Sequence, residues 1–496
     1  MERPGTTESI SHLSAAVIGA GFSGIGVGKT LLENGTDNFL IFDRGETVGG
    51  TWRDNTYPGC SSDIPAVLYC FASNPNPDWK NTYATQAEVL EYLQRCAVEF
   101  GIEPMLRLQH ELESARWDDV QKHWLIQTSR GNYTANTLFV CTGYLSEPSI
   151  PAFEGLNNFK GEAVHTAQWN HDLSLKGKRV AVIGNGASAI QLVPAIQPDV
   201  AQLDLYQRTA PWVTPKPEKE IQGFTAWAIQ KIPGYQRLLR EFIKWQFETL
   251  AFALRRPFMM KQIQKFWGHN LTKYIDDPEL RERLKPDFVM GCKRILFSDT
   301  YYPALNNQNV EVNSQGIRRI TETGIESNDG INRPVDVIVF GTGFRANKLP
   351  IANRVHGKGD QKLSDAWKDG QVAHLGSAVA GFPNMFIVLG PGTTLSHTSM
   401  TLMIEAQLHY IGDYLRKIRE QSISSVNVKH EVMLAYRKKL DKDVNGTVWS
   451  RAGGCDSWYR DEHDRNTTVW PNYATKFKWM NRRFNIDDFE ITTIGH

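Results

Sequence analysis

The stretch AAVIGAGFSG, residues 15–24, decides the fold. A short apolar, β-branched run passes directly into Gly19-x-Gly21-x-x-Gly24, with Phe22 and Ser23 between the glycines, and IGVGKTLLENG then carries a helical pattern. Strand, tight turn and helix N-terminus together form a cradle for a pyrophosphate. The first turn of a helix offers unpaired N–H groups and the positive end of its dipole. NFLIFDRG is a second strand, ending at Asp43 and Arg44, with Asp43 24 positions after Gly19. A carboxylate at that distance accepts hydrogen bonds from a ribose hydroxyl pair. A bare glycine triad is weak evidence, but flanking strands and an acid at this spacing predict a dinucleotide site.

The same construction recurs in KRVAVIGNGASAIQ, residues 178–191, as Gly184-x-Gly186-x-x-Ala189 with Ala187 and Ser188 inside it. DLYQRT supplies the next strand. The residue 24 positions after Gly184 is Arg208, followed by Thr209. A guanidinium there holds a 2′-phosphate through paired charge-assisted hydrogen bonds, where a carboxylate favours a free 2′-hydroxyl. The first unit therefore suits FAD or NAD, and the second suits NADPH.

The predicted fold class is α/β: two Rossmann-like dinucleotide-binding domains with a helical insertion. Residues 1–150 form the first part of the first domain, and SEPSIPAFEG reads as the linker that follows it. Residues 151–215 and 291–335 form the second domain. Residues 216–290 form the insertion, and 336–496 return to the first domain and end in C-terminal loops. LFVCTGY and RPVDVIVFGTGF, two strands ending in Thr-Gly, mark crossings between the units. In the insertion, GYQRLLREFIKWQFETLAFALRR is helical, basic and aromatic. Packing against the nucleotide domains is the favoured reading over lying on a membrane.

Composition narrows the function classes. A 41% hydrophobic and 22% charged chain of 496 residues is that of a soluble globular protein. With 55 Lys and Arg against 54 Asp and Glu, the chain as a whole has no electrostatic footprint for nucleic acid or an anionic surface. The six cysteines form no CxxC pair and no metal-ligand spacing, which predicts reduced thiols, no metal and a cytoplasmic location. MERPGTTESISHLS lacks a basic segment followed by an apolar run, so no secretory signal is expected. There is no uninterrupted apolar run of the length a membrane span needs. The acidic stretch CDSWYRDEHD reads as a solvated loop.

A chain that binds FAD and NADPH together is an oxidoreductase in which hydride passes from nicotinamide to flavin. With no redox cysteine pair and no haem or iron–sulfur pattern, molecular oxygen becomes the acceptor by elimination. Oxygenase and oxidase both remain open at this point.

Three motifs now add a resemblance. FKGEAVHTAQWN, residues 159–170, lies in what reads as a linker without helical or strand period, yet Phe159, Gly161, His165 and Trp169 match a fingerprint FxGxxxHxxxW. Asn170 stands where that fingerprint continues with Pro or Asp. GTWRDNTYPGCSSD, residues 50–63, matches a GxW, Pro-Gly and Asp pattern, and GTGF at 341–344 stands where ATGF is usual. The chain resembles the single-component Baeyer–Villiger monooxygenases of the flavin-containing monooxygenase superfamily.

That resemblance implies FAD and NADPH as cofactors, a small-molecule ketone and O2 as substrates, and an ester or lactone formed through a C4a-peroxyflavin. It implies that Arg294 lies over the reactive face of the flavin and that Asp63 pairs with it. Lys293 would assist at the 2′-phosphate and Trp458 would touch the NADP ribose. Gly50, Thr51, Trp52, Tyr69 and Met400 would line the FAD, with His397 a weaker match near it. His165 reads as a link between domains rather than a catalytic base. The nearest alternatives are a nitrogen- or sulfur-oxidising relative and an NADPH oxidase or nucleotide sensor. The physiological ketone and the oligomeric state do not follow from the sequence.

Overall fold

In a computed structural model describing residues 11–346 and 349–493, the first apolar run forms the strand Ser11–Ile18. Phe39–Asp43 and Gly131–Val140 pair with it on either side, both parallel, with Val17 opposite Ile41 and Phe139. A central parallel strand is covered on both faces, which is why its Ala15–Ile18 half is continuously apolar rather than alternating. Leu106–Leu108 extends the sheet beyond Phe39–Asp43. Beyond Gly131–Val140 come His123–Thr128, Leu112–Asp118 and Val355–His356, and Met385–Ile387 pairs with the C-terminal half of Gly131–Val140. The helices Phe22–Glu33 and Met400–Glu420 pack together on one face. The FPNMFIVLGPG segment thus adds its strand to the first sheet.

The second sheet has five strands, all parallel, in the order Val310–Asn313, Gln202–Tyr206, Arg179–Ile183, Val337–Phe340 and Glu162–His165. Two expectations change here. The segment read as a patternless linker contains an edge strand, Glu162–His165, with His165 opposite Phe340. An edge strand takes its register from its neighbour's backbone, and with Glu162 and Ala163 exposed it needs no alternating pattern. Val337–Phe340 is an inner strand of this second sheet, so the boundary drawn at 335/336 moves past Phe340.

The insertion is helical, with helices Gly223–Lys231, Tyr235–Leu254, Pro257–Tyr274 and Pro278–Arg283. It docks on the first unit through polar anchors. Arg240 donates to the carbonyls of Leu68 and Cys70 at 3.2 and 2.8 Å and pairs with Glu405 at 3.0 Å. No helix among the described residues is long and apolar enough to cross a membrane.

The cysteines bring a third correction. Cys292 and Cys455 are joined in a disulfide across 163 positions of sequence, while Cys60, Cys70, Cys96 and Cys141 are free. Sequence spacing cannot reveal a bridge between segments that meet only in the folded chain.

Candidate active site

The two glycine turns are built alike. Gly19 and Gly184 have φ of +107° and +112°, and a Cβ on either would sit 2.6 Å from the Cys141 carbonyl oxygen or 2.3 Å from that of Gly341. Each turn therefore needs glycine twice over, for its backbone angle and for the close approach of a Thr-Gly crossing. Gly21 and Gly186 are the N-caps of the helices Phe22–Glu33 and Ala187–Ile196, and neither helix carries a side-chain cap. Their first N–H groups face whatever lies in the turn. Phe22, Ser23 and Gly24 are buried in the first turn, whereas Gly186 and Ala187 are exposed and Ser188 half-buried in the second, above buried Ala189.

Asp43 is buried at the end of its strand. It accepts from the Ala20 and Gly45 N–H groups at 2.7 and 2.8 Å and pairs with Arg53 at 2.7 Å. Arg44 points elsewhere, to Glu147 at 3.1 Å and the Ser146 carbonyl at 2.7 Å. Arg53 thus sets a cation against Asp43 that the sequence reading missed. It directly follows the GTW motif, inside the helix Thr51–Asp54, which the Gly50 turn lays against Gly21. Thr51 is exposed beside half-buried Trp52. The Trp52 indole donates to the Tyr69 hydroxyl at 3.2 Å, and Tyr69 meets Phe22 edge-on at 5.3 Å between ring centres.

In the second unit, Asn185 donates to the Gln207 side chain at 3.0 Å and the Thr209 carbonyl at 2.6 Å, which binds the glycine turn to the next strand end. Lys293 reaches the Thr209 hydroxyl at 2.8 Å. Burial first, and the nearby Arg208 charge second, hold its ammonium below the ordinary lysine range. Arg208 is exposed and makes no hydrogen bond or ion pair among the described residues. Two cations and a hydroxyl therefore gather here, with the Asp287 and Asp456 charges opposing only in part, and a phosphate group suits that balance.

Between the units, Arg294 Nε donates to Asp63 Oδ2 at 2.6 Å, and Nη1 reaches the Leu395 carbonyl at 3.3 Å. Burial alone would raise the Asp63 carboxyl, but the Arg294 charge and hydrogen bond outweigh it and hold the group below its ordinary value. The guanidinium is driven upward by the same partner against the opposing effect of burial, so it stays charged. Asp63 arrives here because the Tyr57–Ser61 segment seats on the Ala187–Ile196 helix. Tyr57 donates to Gln191 Oε1 at 2.8 Å, and Gln191 Nε2 donates to the Ser61 carbonyl at 3.0 Å.

The Leu395–Met400 loop closes this junction. The Leu395 N–H approaches Met400 Sδ at 3.2 Å, and buried His397 lies 3.5 Å from Glu248 of the insertion. The hydroxyls of Thr394, Ser396, Thr398 and Tyr459 and the His397 Nδ1 are buried without a hydrogen-bond partner among the described residues. Burial pushes the Tyr459 phenol up to about 12, against the nearby Arg294 charge. Tyr459 and Glu248 are further site residues the sequence did not disclose. Trp458 packs on Tyr459 with ring centres 4.5 Å apart but is itself 41% exposed. The Cys292–Cys455 bridge ties its loop to the segment bearing Lys293 and Arg294. In the acidic stretch, Asp461 pairs with Arg465 and Asp464 with Arg451 and Arg460.

The fingerprint sits beside the second crossing. His165 is buried, its Nδ1 accepts from the Ala167 N–H at 3.0 Å, and its Nε2 lies 3.1 Å from the Gly343 carbonyl. Both nitrogens are thereby used, with the proton on Nε2. A Cβ on Gly161 would collide with the Asp336 carbonyl at 2.3 Å and with the ring of Phe159. Trp169 packs, half-buried, on the core of the second unit. Asn170 accepts from the Asp172 N–H at 3.0 Å, an Asx turn that an aspartate would also make.

Comparison with known proteins gives a family and relatives. Residues 13–359 match the family model described as flavin-binding monooxygenase-like. The chain is 42% identical over 492 residues to a Baeyer–Villiger monooxygenase of Pseudomonas aeruginosa, covering 98% of this chain and 93% of that one. It is 41% identical to a Baeyer–Villiger monooxygenase of Streptomyces coelicolor, covering 97% and 93%. The crystal structure of cyclohexanone monooxygenase from Rhodococcus sp. Phi1 bound to NADP+ superposes with a TM-score of 0.87 at 27% identity, over 98% of this chain and 100% of that one.

Proposed function

This chain belongs to the flavin-binding monooxygenase-like family, and from that premise we propose how its site carries out Baeyer–Villiger oxidation with FAD, NADPH and O2. One oxygen atom enters beside a ketone carbonyl to give an ester or lactone, and the other leaves as water. FAD, when bound and reduced by NADPH, supplies the activation of oxygen. The residues present fit it. The first glycine turn offers an uncapped helix end, Asp43 a ribose acceptor, and the Thr394–Thr398 loop unpartnered buried hydroxyls. We assign Gly184–Ala189, Arg208, Thr209 and Lys293 to NADPH.

The observation that carries the reading is the Arg294–Asp63 pair at the junction of the two units. Asp63 fixes Arg294 through Nε, so the rest of the guanidinium presents N–H groups and a permanent charge where negative charge gathers on oxygen. Leu395 and Tyr459 wall the same junction and help exclude water, which strengthens that electrostatic contribution. His165 acts as a positioning residue, tying the fingerprint to the Gly343 crossing rather than moving a proton. We place the enzyme in the cytoplasm, where NADPH is regenerated. There the Cys292–Cys455 pair is open to reduction.

The test is a panel of open-chain, aryl and cyclic ketones incubated with holoenzyme, NADPH and 18O2. One labelled oxygen in an ester or lactone is the expected result. NADPH consumption with hydrogen peroxide as the only product throughout the panel would favour an oxidase instead.

A further inference from the structure

The helix Tyr235–Leu254 is apolar on two faces: Leu239, Ile243 and Leu250 pack inward with buried Ala251, Ala253 and Leu254. Its buried positions include Gln236, Arg240 and Glu248, each held by hydrogen bonds to distant segments. Leu238, Phe242 and Trp245, meanwhile, face solvent at 72%, 61% and 57% exposure. Those three, with Phe252 beyond them, recur at the spacing of one helical stripe. Phe224 and Trp227 of the preceding helix are exposed as well, and Phe258 just beyond at 73%. Single exposed apolar residues are ordinary, but an exposed apolar stripe on a helix whose inner face is already packed marks an interaction surface.

Charge identifies the partner. Residues 223–265 hold eight Lys or Arg against two Asp or Glu, in a chain whose net charge is only +1. Glu248 is buried, which leaves Glu241 as the one exposed acid of this segment. Lys231, Arg237, Arg256 and Lys261 are exposed around the stripe, and Arg256 stacks on Phe252 at 3.7 Å. A second copy docked on this face by two-fold symmetry would set these cations against themselves. An anionic bilayer surface takes both components: Trp and Phe rings sit at headgroup depth, and Lys and Arg meet the phosphates.

We propose that the insertion is a peripheral membrane-binding surface, in which the Leu238–Phe242–Trp245 stripe enters the headgroup layer of an anionic phospholipid bilayer and the surrounding cations hold it there. The preference for packing over membrane contact is thereby replaced by both at once. The inner face packs on the first nucleotide unit while the outer face meets lipid. This inference is independent of the oxygenation chemistry, since no residue of the stripe belongs to the Arg294 junction.

Co-sedimentation of the holoenzyme with vesicles tests it, comparing pure phosphatidylcholine with an equimolar mixture of phosphatidylcholine and phosphatidylglycerol. Binding at least ~10-fold stronger to the anionic vesicles is expected, falling away as salt shortens the screening length toward ~3 Å. Phe242→Ser with Trp245→Ser, and separately Arg237→Glu with Lys261→Glu, should each abolish it while ketone-dependent NADPH turnover in vesicle-free buffer is kept. Equal partition onto both vesicle types, or none onto either, overturns the proposal. So does a dimer in light scattering that the Phe242→Ser, Trp245→Ser variant disperses, since the face would then belong to a second copy.

Discussion

Arg294 and Asp63, 231 positions apart in sequence, meet at 2.6 Å and join a loop of the second nucleotide unit to a loop of the first. The pair is only about a quarter exposed on each side, and the carboxylate spends one oxygen on Nε, leaving the guanidinium's outer edge free of Asp63. A charge set in this way is oriented before any substrate arrives, which is the condition under which electrostatic stabilisation costs no reorganisation.

Replacing Arg294 with Ala is therefore expected to lower ester formation by about 10²–10³-fold or more, while the flavin is still reduced by NADPH. Stopped-flow absorbance of flavin reduction, run beside product analysis, separates the two steps. Ketone oxidation at near-normal rate in this variant would remove Arg294 from the chemistry.

The Arg208 and Lys293 cluster predicts a selective defect. Arg208→Ala and Lys293→Ala should each raise the KM for NADPH by about 10-fold, the worth of one charge-assisted contact, with the KM for NADH nearly unchanged. Steady-state kinetics with both nucleotides checks this. A parallel rise for NADH would place the two cations away from the 2′-phosphate.

His165 predicts a pH signature in stability. Burial holds its imidazole below the ordinary histidine range, with the Gly343 carbonyl only partly opposing this. The unfolded chain therefore binds a proton that the folded chain refuses. Stability is full above the unfolded value near ~6.5 and declines as pH falls from there toward the folded value. In melting curves between pH 5 and 7.5, His165→Gln should flatten that decline, whereas an unchanged slope would assign it to other groups.

The disulfide predicts a reductant-sensitive defect. Cys455→Ser should lower the melting midpoint by about 2–4 °C and raise the KM for NADPH, because the Trp458 loop loses its tie to the Lys293 segment. Dithiothreitol should bring the parent protein to the same state and leave the variant unaffected. A parent protein indifferent to reductant would show that the bridge holds nothing in place.

The nucleotide units were legible because their signals are local. A glycine turn, the strand before it and the helix after it are contiguous, from Ser11 to Glu33 in one unit and from Arg179 to Ile196 in the other, and backbone sterics at Gly19 and Gly184 allow little else. The spacing to Asp43 and Arg208 is local in the same sense, since it counts one strand–helix–strand passage. The family motifs likewise lie within short segments. Partners were the part that could not be read. Asp43 pairs with Arg53 rather than standing alone, Arg44 turns to Glu147, and Cys292 finds Cys455. Glu248 anchors the His397 loop from the insertion.

Sequence by itself thus determined the two Rossmann-like units, the acid Asp43 and the base Arg208 at equal distances from their glycine turns, and the helical nature of the insertion. Tertiary structure alone decided that Asp63 reaches Arg294, that the fingerprint adds an edge strand beside Val337–Phe340, and that the Tyr235–Leu254 helix turns its aromatic stripe outward. The reason is the same in each case. Periodicity and spacing record what one segment does to its own backbone, whereas pairing and facing depend on distant segments whose contacts offset the cost of burying Arg240, Glu248 or Asp63.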